Sequence, residues 1–282
     1  MTFFLGIDGG GTGCRAAVAD SSGRILGRGS SGPANVTSDL PTAGQNILAA
    51  ARAALAEAVG PDAVEAELPR LVAGLGLAGA NTISAGAFAS LRLPFARIRV
   101  ETDAISALRG ALWGGDGIVA AVGTGSVFAR QRNGEVRQIG GWGLVLGDEG
   151  SGAAIGRAIL ARALRAVDGF VPLTPLLQAL IADHGDPAGI VTFAKSARPA
   201  DFAALAPRVL ESSDHAACAV MDCAIADVAA AVDLLQEGMR LPVVFIGGLG
   251  PVYARALADR WEIREPLGSS LDGALLLARE EA

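Results

Sequence analysis

Lysine, cysteine and long apolar runs are all scarce in this chain of 282 residues. The single lysine, Lys195, lies far from any glycine-rich loop and no G-x-x-x-x-G-K-[ST] sequence occurs, which excludes a P-loop nucleotide site. Three cysteines are too few, and odd in number, for a disulfide framework, so a reducing cytoplasm is expected. No stretch approaches the roughly 18 uninterrupted apolar residues of a membrane span. The first residues lack the basic region and cleavage site of a signal peptide.

The sequence also has no cluster of basic residues. The chain has 23 basic and 29 acidic residues, a net charge of −6, and no basic patch, so nucleic-acid binding is not expected. Hydrophobic residues, by contrast, make up 51% of the sequence and charged residues 18%, which is the balance of a folded core. The length fits one large domain or two modest ones.

The first part of the chain has the pattern of an α/β layer with a mixed sheet. Short apolar runs bounded by glycine-rich turns predict strands, and apolar residues at helical spacing predict helices. The predicted strands are Phe3–Asp8, Cys14–Asp20, Arg24–Ser30, Leu71–Leu77 and Ile98–Asp103, and the predicted helices are Leu40–Val59, Asn81–Leu91 and Ala104–Leu112.

A second unit then repeats the beginning of the first. Gly11-Thr12-Gly13 and Gly123-Thr124-Gly125 are offset by 112 residues, and each follows a strand and precedes a strand–turn–strand segment. The predicted strands of this unit are Ile118–Val122, Ser126–Gln131, Glu135–Ile139 and Pro242–Ile246. The predicted helices are Gly152–Val167, Leu173–His184, Pro187–Ala197, Asp201–Leu210, Asp214–Glu237 and Ser269–Glu281. A turn-rich stretch at Trp113–Gly117 separates the units and predicts domains at 1–113 and 114–282.

The two glycine-rich loops could hold phosphate. Glycine lets an anionic oxygen approach the backbone N–H groups closely, and Thr12 adds a hydroxyl donor. Asp8 cannot bind phosphate itself, but it can hold a hydrated Mg²⁺ that neutralises phosphate. The alternative is that both loops are tight hairpin turns whose glycines only provide positive φ.

Other features of the sequence have structural alternatives as well. Gly74, Gly76 and Gly79 match the dinucleotide pattern G-x-G-x-x-G, but the first two lie inside a predicted strand, where glycine typically allows close packing. Asp103 follows a strand and opens a helix, so it could be a helix N-cap instead of a proton acceptor. Asp148 could likewise cap the helix that begins near Gly152.

Motifs along the whole chain resemble those of one family. They are Gly6–Thr12, Cys14-Arg15, Ser31–Val36, Leu77–Ala80, Thr102–Ala104, Gly123–Ser126, Gly140–Gly143, Gly147–Gly152 and Gly247-Gly248. Their order resembles the sugar kinase–actin ATPase superfamily, and more narrowly the branch with N-acetylglucosamine kinase, bacterial glucosamine kinase and the BadF-type ATPases. The resemblance implies duplicated actin-like ATPase domains of the ribonuclease H-like α/β class with a deep interdomain cleft. It also implies that a last helix, about 268–282, packs back on the N-terminal domain.

The resemblance further implies ATP and Mg²⁺ as cofactors and an amino sugar as acceptor. Asp103 would be the catalytic base and Asp8 would hold Mg²⁺ through water. The implied nucleotide-binding residues are Gly9, Gly10, Gly11, Thr12, Arg15, Gly123, Thr124, Gly125, Ser126, Gly247, Gly248 and Gly250. The implied sugar-binding residues are Asn35, Gly79, Asp103, Gly141 and Asp148. A homodimer formed through the helical half is also compatible with the resemblance.

The sequence leaves the acceptor and one other activity open. The expected reaction is phosphorylation of the 6-hydroxyl of glucosamine or N-acetylglucosamine, and another hexose is an alternative. A free amine, charged at pH 7, would favour a nearby carboxylate such as Asp148 or Glu149. The other alternative is a BadF-type ATPase that activates a radical dehydratase. Such activators carry cysteines for an iron–sulfur cluster, whereas Cys218 and Cys223 here lie in a predicted helix without a glycine-rich context.

Overall fold

The computed structural model describes residues 2–282, which form a mixed α/β protein with two β-sheets. Its strands are β1 (Phe4–Gly9), β2 (Cys14–Ala19), β3 (Ile25–Ser31), β4 (Val72–Leu77), β5 (Arg97–Thr102), β6 (Gly117–Val122), β7 (Ser126–Arg132), β8 (Glu135–Gly140) and β9 (Val243–Ile246). Its α-helices are α1 (Leu40–Val59), α2 (Val64–Glu67), α3 (Ala85–Ala89), α4 (Asp103–Leu112), α5 (Gly152–Val167), α6 (Pro175–Asp183), α7 (Pro187–Ser196), α8 (Pro199–Ala203), α9 (Ala206–Leu210), α10 (His215–Gln236), α11 (Gly250–Ala256) and α12 (Ser270–Glu280).

The first sheet has the strand order β3-β2-β1-β4-β5. β1 pairs antiparallel with β2, and β2 antiparallel with β3. β1 also pairs in parallel with β4, and β4 in parallel with β5. Every residue of β4 is buried, as expected for an interior strand of a parallel region that is covered on both faces. The predicted mixed sheet is therefore confirmed.

Helices cover both faces of the first sheet. Successive residues of a strand point to opposite faces, so alternate residues of β1 pack against different helices. On one face, Leu5 and Ile7 of β1 share a buried core with α1. On the other face, Phe4 packs with Leu271 and Leu275 of α12. The last helix thus belongs to the core of the first sheet, although the sequence places it after every other element.

Two glycines of β4 explain the dinucleotide-like sequence pattern. A Cβ atom on Gly74 would lie 2.1 Å from the carbonyl oxygen of Ala274 in α12. A Cβ atom on Gly76 would lie 2.0 Å from the hydroxyl oxygen of Ser106 in α4. These glycines allow two helices to pack closely against the strand, so the packing interpretation is confirmed and they do not form a dinucleotide loop.

The second sheet has the strand order β8-β7-β6-β9, which repeats the order β3-β2-β1-β4 of the first. This repetition in the fold matches the repeat in the sequence. In the described part of the chain no full strand stands where β5 stands in the first sheet. A single parallel bridge between Val243 of β9 and Ile263 lies beside β9 instead.

The helices differ from the predicted ones in several places. The predicted helix 81–91 shortens to α3, which begins where the Ser84 hydroxyl accepts a hydrogen bond from the Ala87 amide. The predicted helix 201–210 divides into α8 and α9, because Pro207 has no N–H to donate to the preceding turn. Two short helices, α2 and α11, were not predicted from the sequence.

The chain divides into two compact units. The first comprises the chain up to Val119, Ala129–Val136 and Glu265–Ala282, and the second comprises Ala120–Phe128 and Arg137–Arg264. The domain limits 1–113 and 114–282 stay a prediction. The first compact unit also contains residues 114–119 and 129–136. Among residues 2–282, no helix combines the length and the apolar character needed to cross a membrane.

Candidate functional site

The loop between β1 and β2 presents an open backbone. Its Gly9 and Gly10 carbonyls accept hydrogen bonds from the amides of Ala78 at 2.8 Å and Ala34 at 2.9 Å. A Cβ atom on Gly11 would meet no atom within 4 Å. These loop residues are all described, and no glycine among 9–13 has positive φ. The interpretation as a hairpin that only needs positive φ is therefore wrong for this loop.

The second loop, between β6 and β7, gives the same result. Gly123 and Gly125 both lie in the described chain and neither has positive φ. The Gly123 amide donates to the Gly125 carbonyl at 2.9 Å, which forms the turn. Glycine at these positions thus serves packing or the approach of another molecule.

Asp8 at the end of β1 forms an ion pair with Arg15. The two residues are direct cross-strand partners of β1 and β2, so the sheet register itself brings them together. The Asp8 side chain is 11% exposed and that of Arg15 64% exposed. The guanidinium therefore lies at the surface beside the first glycine loop, as expected of a residue that contacts phosphate.

Asp103 is the first residue of α4 and not its cap. The Thr102 hydroxyl caps the helix by accepting a hydrogen bond from the Ile105 amide at 3.2 Å. The Asp103 residue opens to solvent on one side while protein surrounds its carboxylate on the others. Burial raises the pKa of Asp103 and the negative charge of Asp8 adds to the rise, while the hydrogen bond from the Ala104 amide opposes it.

Asn35 and Gly79 lie side by side in the first unit. A Cβ atom on Gly79, whose φ is +84°, would lie 3.1 Å from the Asn35 Oδ1 atom and 2.3 Å from the Thr37 hydroxyl. Oδ1 accepts hydrogen bonds from the Thr37 amide and hydroxyl at 2.9 and 2.7 Å and from the Ser38 amide at 3.2 Å. The Nδ2 group is then the part of Asn35 suited to donate to a hydroxyl of a ligand.

The second loop is fixed to the N-terminus of α5. The amides of Gly152 and Ala153 donate to the carbonyls of Gly123 and Thr124 at 2.8 and 3.2 Å. The Ser126 hydroxyl donates to the Glu149 carbonyl at 2.7 Å. The resemblance assigns Ser126 to phosphate binding. In the structure, however, its hydroxyl hydrogen is already donated within the protein.

Asp148 lies at the centre of the second unit's candidate site. It is buried and has a φ of +60°, a conformation that non-glycine residues rarely adopt. Its carboxylate accepts the Gly143 amide at 3.2 Å and also the Ser126 amide. Burial raises its pKa, as does the negative charge of Glu149, while the two amides oppose the rise. Ser151 and not Asp148 caps α5.

Gly141 begins an exposed loop that leads to Asp148. Gly141 has a φ of +75° and its amide donates to the Ser126 carbonyl at 3.0 Å. The loop exposes Trp142, Val145 and Leu146, whereas Leu144 is buried. The sequence analysis did not select these apolar side chains, although the glycines around them mark an irregular loop.

The motif Gly247–Gly250 joins β9 to α11. Gly247 has a φ of +88°, and a Cβ atom there would lie 2.5 Å from the Val122 carbonyl oxygen, so this position requires glycine. A Cβ atom on Gly248 would meet nothing within 4 Å. A Cβ atom on Gly123 would lie 4.0 Å from the Gly248 amide nitrogen, so the motif adjoins the second loop.

The structure thus brings the predicted residues together in two sets. The first unit holds Gly9–Thr12, Arg15, Asp8, Asp103, Asn35 and Gly79, and the second holds Gly123–Ser126, Gly141, Asp148 and Gly247–Gly250. Within residues 2–282, no group of three or more His, Cys, Asp or Glu side chains could hold a metal ion.

Comparison with known proteins gives consistent matches. Residues 5–264 match the BadF/BadG/BcrA/BcrD ATPase family. The chain is 30% identical to the glucosamine kinase GspK of Vibrio cholerae over 287 residues, which cover 99% of this chain and 96% of that protein. A crystal structure from Chromobacterium violaceum, of a protein provisionally named an N-acetylglucosamine kinase, has a TM-score of 0.86 and 34% identity and covers 99% of both chains.

A more distant structure shows the fold. It is a ROK family glucokinase from Streptomyces griseus, solved with glucose and AMPPNP, with a TM-score of 0.58, 20% identity and 99% of both chains covered. Together with the two sheets described above, these likenesses confirm the duplicated actin-like ATPase fold class.

Proposed function

Because the chain belongs to the BadF/BadG/BcrA/BcrD ATPase family, we propose that it is an ATP-dependent kinase of amino sugars. It transfers the γ-phosphoryl group of ATP to the 6-hydroxyl of glucosamine or N-acetylglucosamine. One observation carries the proposal: the glycines of both loops lie outside the positive φ region, so they are not there for the turns themselves. Open backbone at Gly11 and Gly248 leaves room for a nucleotide to approach.

The nucleotide is bound by backbone more than by side chains. In this proposal Gly9–Thr12 and Gly123–Ser126 surround the phosphates and Gly247–Gly250 lies against the adenosine. Arg15 follows the first loop on β2, and it supplies charge-assisted donors to phosphate oxygens while Asp8 keeps it in place.

Asp103 accepts the proton of the attacking hydroxyl. The O–H bond of the sugar breaks as the new O–P bond forms, and the proton passes to the Asp103 carboxylate. Thr102 already caps α4, so Asp103 is available for this role. A raised pKa makes Asp103 a stronger base than an ordinary carboxylate.

Asn35, Gly79, Gly141 and Asp148 recognise the sugar. The Asn35 Nδ2 group donates to one hydroxyl, while Gly79 and Gly141, whose positive φ favours glycine, present no side chain to the ligand. Asp148 accepts from hydroxyl groups with the lone pairs that its two backbone donors leave. Glu149 is exposed beside it and would attract the charged amine of glucosamine.

Magnesium fits this arrangement only as part of the nucleotide complex. Mg²⁺ is usually held by one or two carboxylates together with substrate phosphates, and Asp8 is such a carboxylate at the first loop. Arg15 already pairs with Asp8, which favours contact through water over direct coordination. The ion would neutralise charge on the phosphates.

The alternative of a dehydratase activator has less support. Cys14 is buried, and burial raises the pKa of its thiol to about 11, which disfavours the thiolate that ligates a cluster. Cys218 and Cys223 are exposed on α10, five residues apart, which places them on different sides of the helix. A homodimer and a cytoplasmic location stay predictions.

A sugar-dependent ADP-release assay tests the proposal. Glucosamine, N-acetylglucosamine, N-acetylmannosamine and glucose are compared, and phosphorus NMR identifies the phosphorylated oxygen. We expect one amino sugar to give the highest kcat/KM, and its 6-deoxy analogue to inhibit competitively without reacting. ATP hydrolysis at a rate that none of the four sugars changes would reject the kinase proposal and favour the dehydratase activator.

A further inference from the structure

Tyr253 is a buried polar side chain that the functional assignments leave unused. It lies on α11, is 0% exposed, and donates a hydrogen bond from its hydroxyl to the carbonyl of Gly150. Its ring stacks on Phe245 of β9, with centroids 6.5 Å apart and an interplanar angle of 24°. A buried tyrosine needs a partner for its hydroxyl, and here the partner is a backbone carbonyl 103 residues away.

The accepting carbonyl lies in the loop that carries Asp148. Gly150 has a φ of +74°, and a Cβ atom there would lie 2.4 Å from Val228 Cγ2 and 3.2 Å from the Tyr253 hydroxyl. The loop is therefore pressed against α10 and α11 without room for a side chain. Burial and the negative charge of Asp227 raise the pKa of Tyr253, which favours the protonated hydroxyl that donates this hydrogen bond.

The same loop contacts the second phosphate loop on its other side. The Ser126 hydroxyl donates to the Glu149 carbonyl, and the Gly152 amide donates to the Gly123 carbonyl. The Asp148 carboxylate accepts the Ser126 amide. A displacement of Gly150 would consequently move both Asp148 and the Gly123–Ser126 loop.

The helix of Tyr253 begins in the candidate adenosine motif. α11 starts at Gly250, the Gly250 amide donates to the Gly247 carbonyl at 3.0 Å, and the Leu249 amide donates to the Val122 carbonyl at 3.0 Å. Tyr253 lies one helical turn further on. Its hydroxyl is thus a short connection between the adenosine motif and the loop of Asp148, within one unit.

We propose that Tyr253 is a positioning residue that holds the Gly147–Gly152 loop against α11, so that nucleotide binding at Gly247–Gly250 fixes Asp148 for the acceptor. This inference rests on the proposed kinase function and adds a residue to it. Tyr253 touches neither substrate; it acts through the Gly150 carbonyl.

The test compares Tyr253→Phe with Leu257→Ala. Tyr253→Phe keeps the ring and removes only the hydroxyl, whereas Leu257→Ala removes a buried side chain from the end of the same helix and leaves the hydroxyl bond intact. We expect Tyr253→Phe to raise the KM for the acceptor about ten-fold, the value of one buried hydrogen bond, with little change in kcat. Calorimetry should show that a non-hydrolysable ATP analogue tightens acceptor binding less in this variant than in the wild type. Leu257→Ala should lower Tm while leaving both quantities unchanged.

Hydrogen exchange adds a readout that does not need catalysis. The amides of residues 147–152 should exchange faster in Tyr253→Phe than in the wild type or Leu257→Ala. An acceptor KM, a nucleotide effect and an exchange rate that all equal those of the wild type would overturn the inference. So would the same changes in Leu257→Ala at an equal loss of Tm. A wild-type protein that phosphorylates no sugar would instead reject the kinase proposal, and the exchange measurement would still decide the role of Tyr253.

Discussion

The two glycine loops share a sequence pattern and differ in how the protein holds them. The first loop, after β1, bonds to its surroundings through the Gly9 and Gly10 carbonyls and leaves Gly11 in open space. The second loop, after β6, bonds through the Gly123 and Thr124 carbonyls to α5 and contacts Asp148 at Gly125. A Cβ atom on Gly125 would lie 2.9 Å from the Asp148 Oδ2 atom.

The two loops also differ in the charge of the groups beside them. The first loop adjoins ionised groups, Asp8 and Arg15, and it lies in the unit that contains Asp103. The second loop is fixed by neutral backbone bonds and one buried carboxylate. The first loop thus has charged neighbours, whereas the second is held rigidly by its own unit.

The largest expected effect is on kcat, and it distinguishes a catalytic residue of the first unit from a neighbouring residue that only stabilises a helix. Asp103→Asn should lower kcat by about 10²–10⁴-fold, because the proton acceptor is lost while the helix cap at Thr102 remains. Steady-state kinetics on a variant with wild-type Tm measures this. The control is Thr102→Ala, which should cost about 1 kcal/mol of stability and leave kcat near the wild-type value. Full activity in Asp103→Asn would remove Asp103 from the mechanism.

A smaller effect distinguishes the loops directly. Gly11→Ala adds a methyl group that meets no protein atom, so it should leave Tm unchanged and raise the KM for ATP by about ten-fold or more, through contact with the phosphates. Gly125→Ala pushes on Asp148 and should cost about 1–3 kcal/mol of stability and weaken both ATP and acceptor. Melting curves and both KM values are needed. If Gly11→Ala binds ATP normally, the first loop does not contact phosphate.

The pH dependence tests which carboxylate titrates during turnover. Asp103 acts as a base only when deprotonated, and its pKa is raised above the usual 3.8, so kcat/KM should fall as the pH drops toward that raised value. Below the midpoint the loss approaches about ten-fold per pH unit. The pKa of Asp148 is raised as well, and Asp148→Asn is therefore the control. An acid limb that disappears in Asp148→Asn would assign the titration to the second unit.

The smallest effect compares the two hydroxyl side chains of the loops. Ser126→Ala removes the hydrogen bond to the Glu149 carbonyl and should cost about 1 kcal/mol of stability. Thr12 is exposed, so Thr12→Ala should change stability by no more than about 0.5 kcal/mol and raise the KM for ATP a few-fold. Equal effects of the two substitutions on Tm would contradict the proposed difference between the loops.

Local signals made much of the fold predictable. The bounds of α1 and α5 agree with the predicted helices because their ends are set by neighbouring residues: Asp39 and Ser151 cap the N-termini, and Gly60 follows the last turn of α1. The repeated strand–loop–strand pattern likewise gave the two sheets. What the sequence could not decide was which of two adjacent polar residues caps a helix, as with Thr102 and Asp103.

Contacts between distant residues were beyond sequence reasoning. The ion pair of Asp8 and Arg15 follows from strand register, which the sequence indicates only by pattern. The bond between Tyr253 and Gly150 joins positions 103 residues apart, and α11 itself is only seven residues long, too short to give a clear period. The assignments of residues to nucleotide and sugar stay predictions for the experiments above.

The position of α12 has a consequence for how the protein is made. The first sheet buries Phe4 and Gly74 against a helix that is synthesised after the whole of the second unit. Strands β1–β5 therefore leave the ribosome long before α12 is synthesised. Until then, one apolar face of the first sheet has no helix to pack against. We expect the first unit to acquire protease resistance only after residues 270–280 have left the exit tunnel, later than the second unit, which reverses the usual N-terminal-first order of folding.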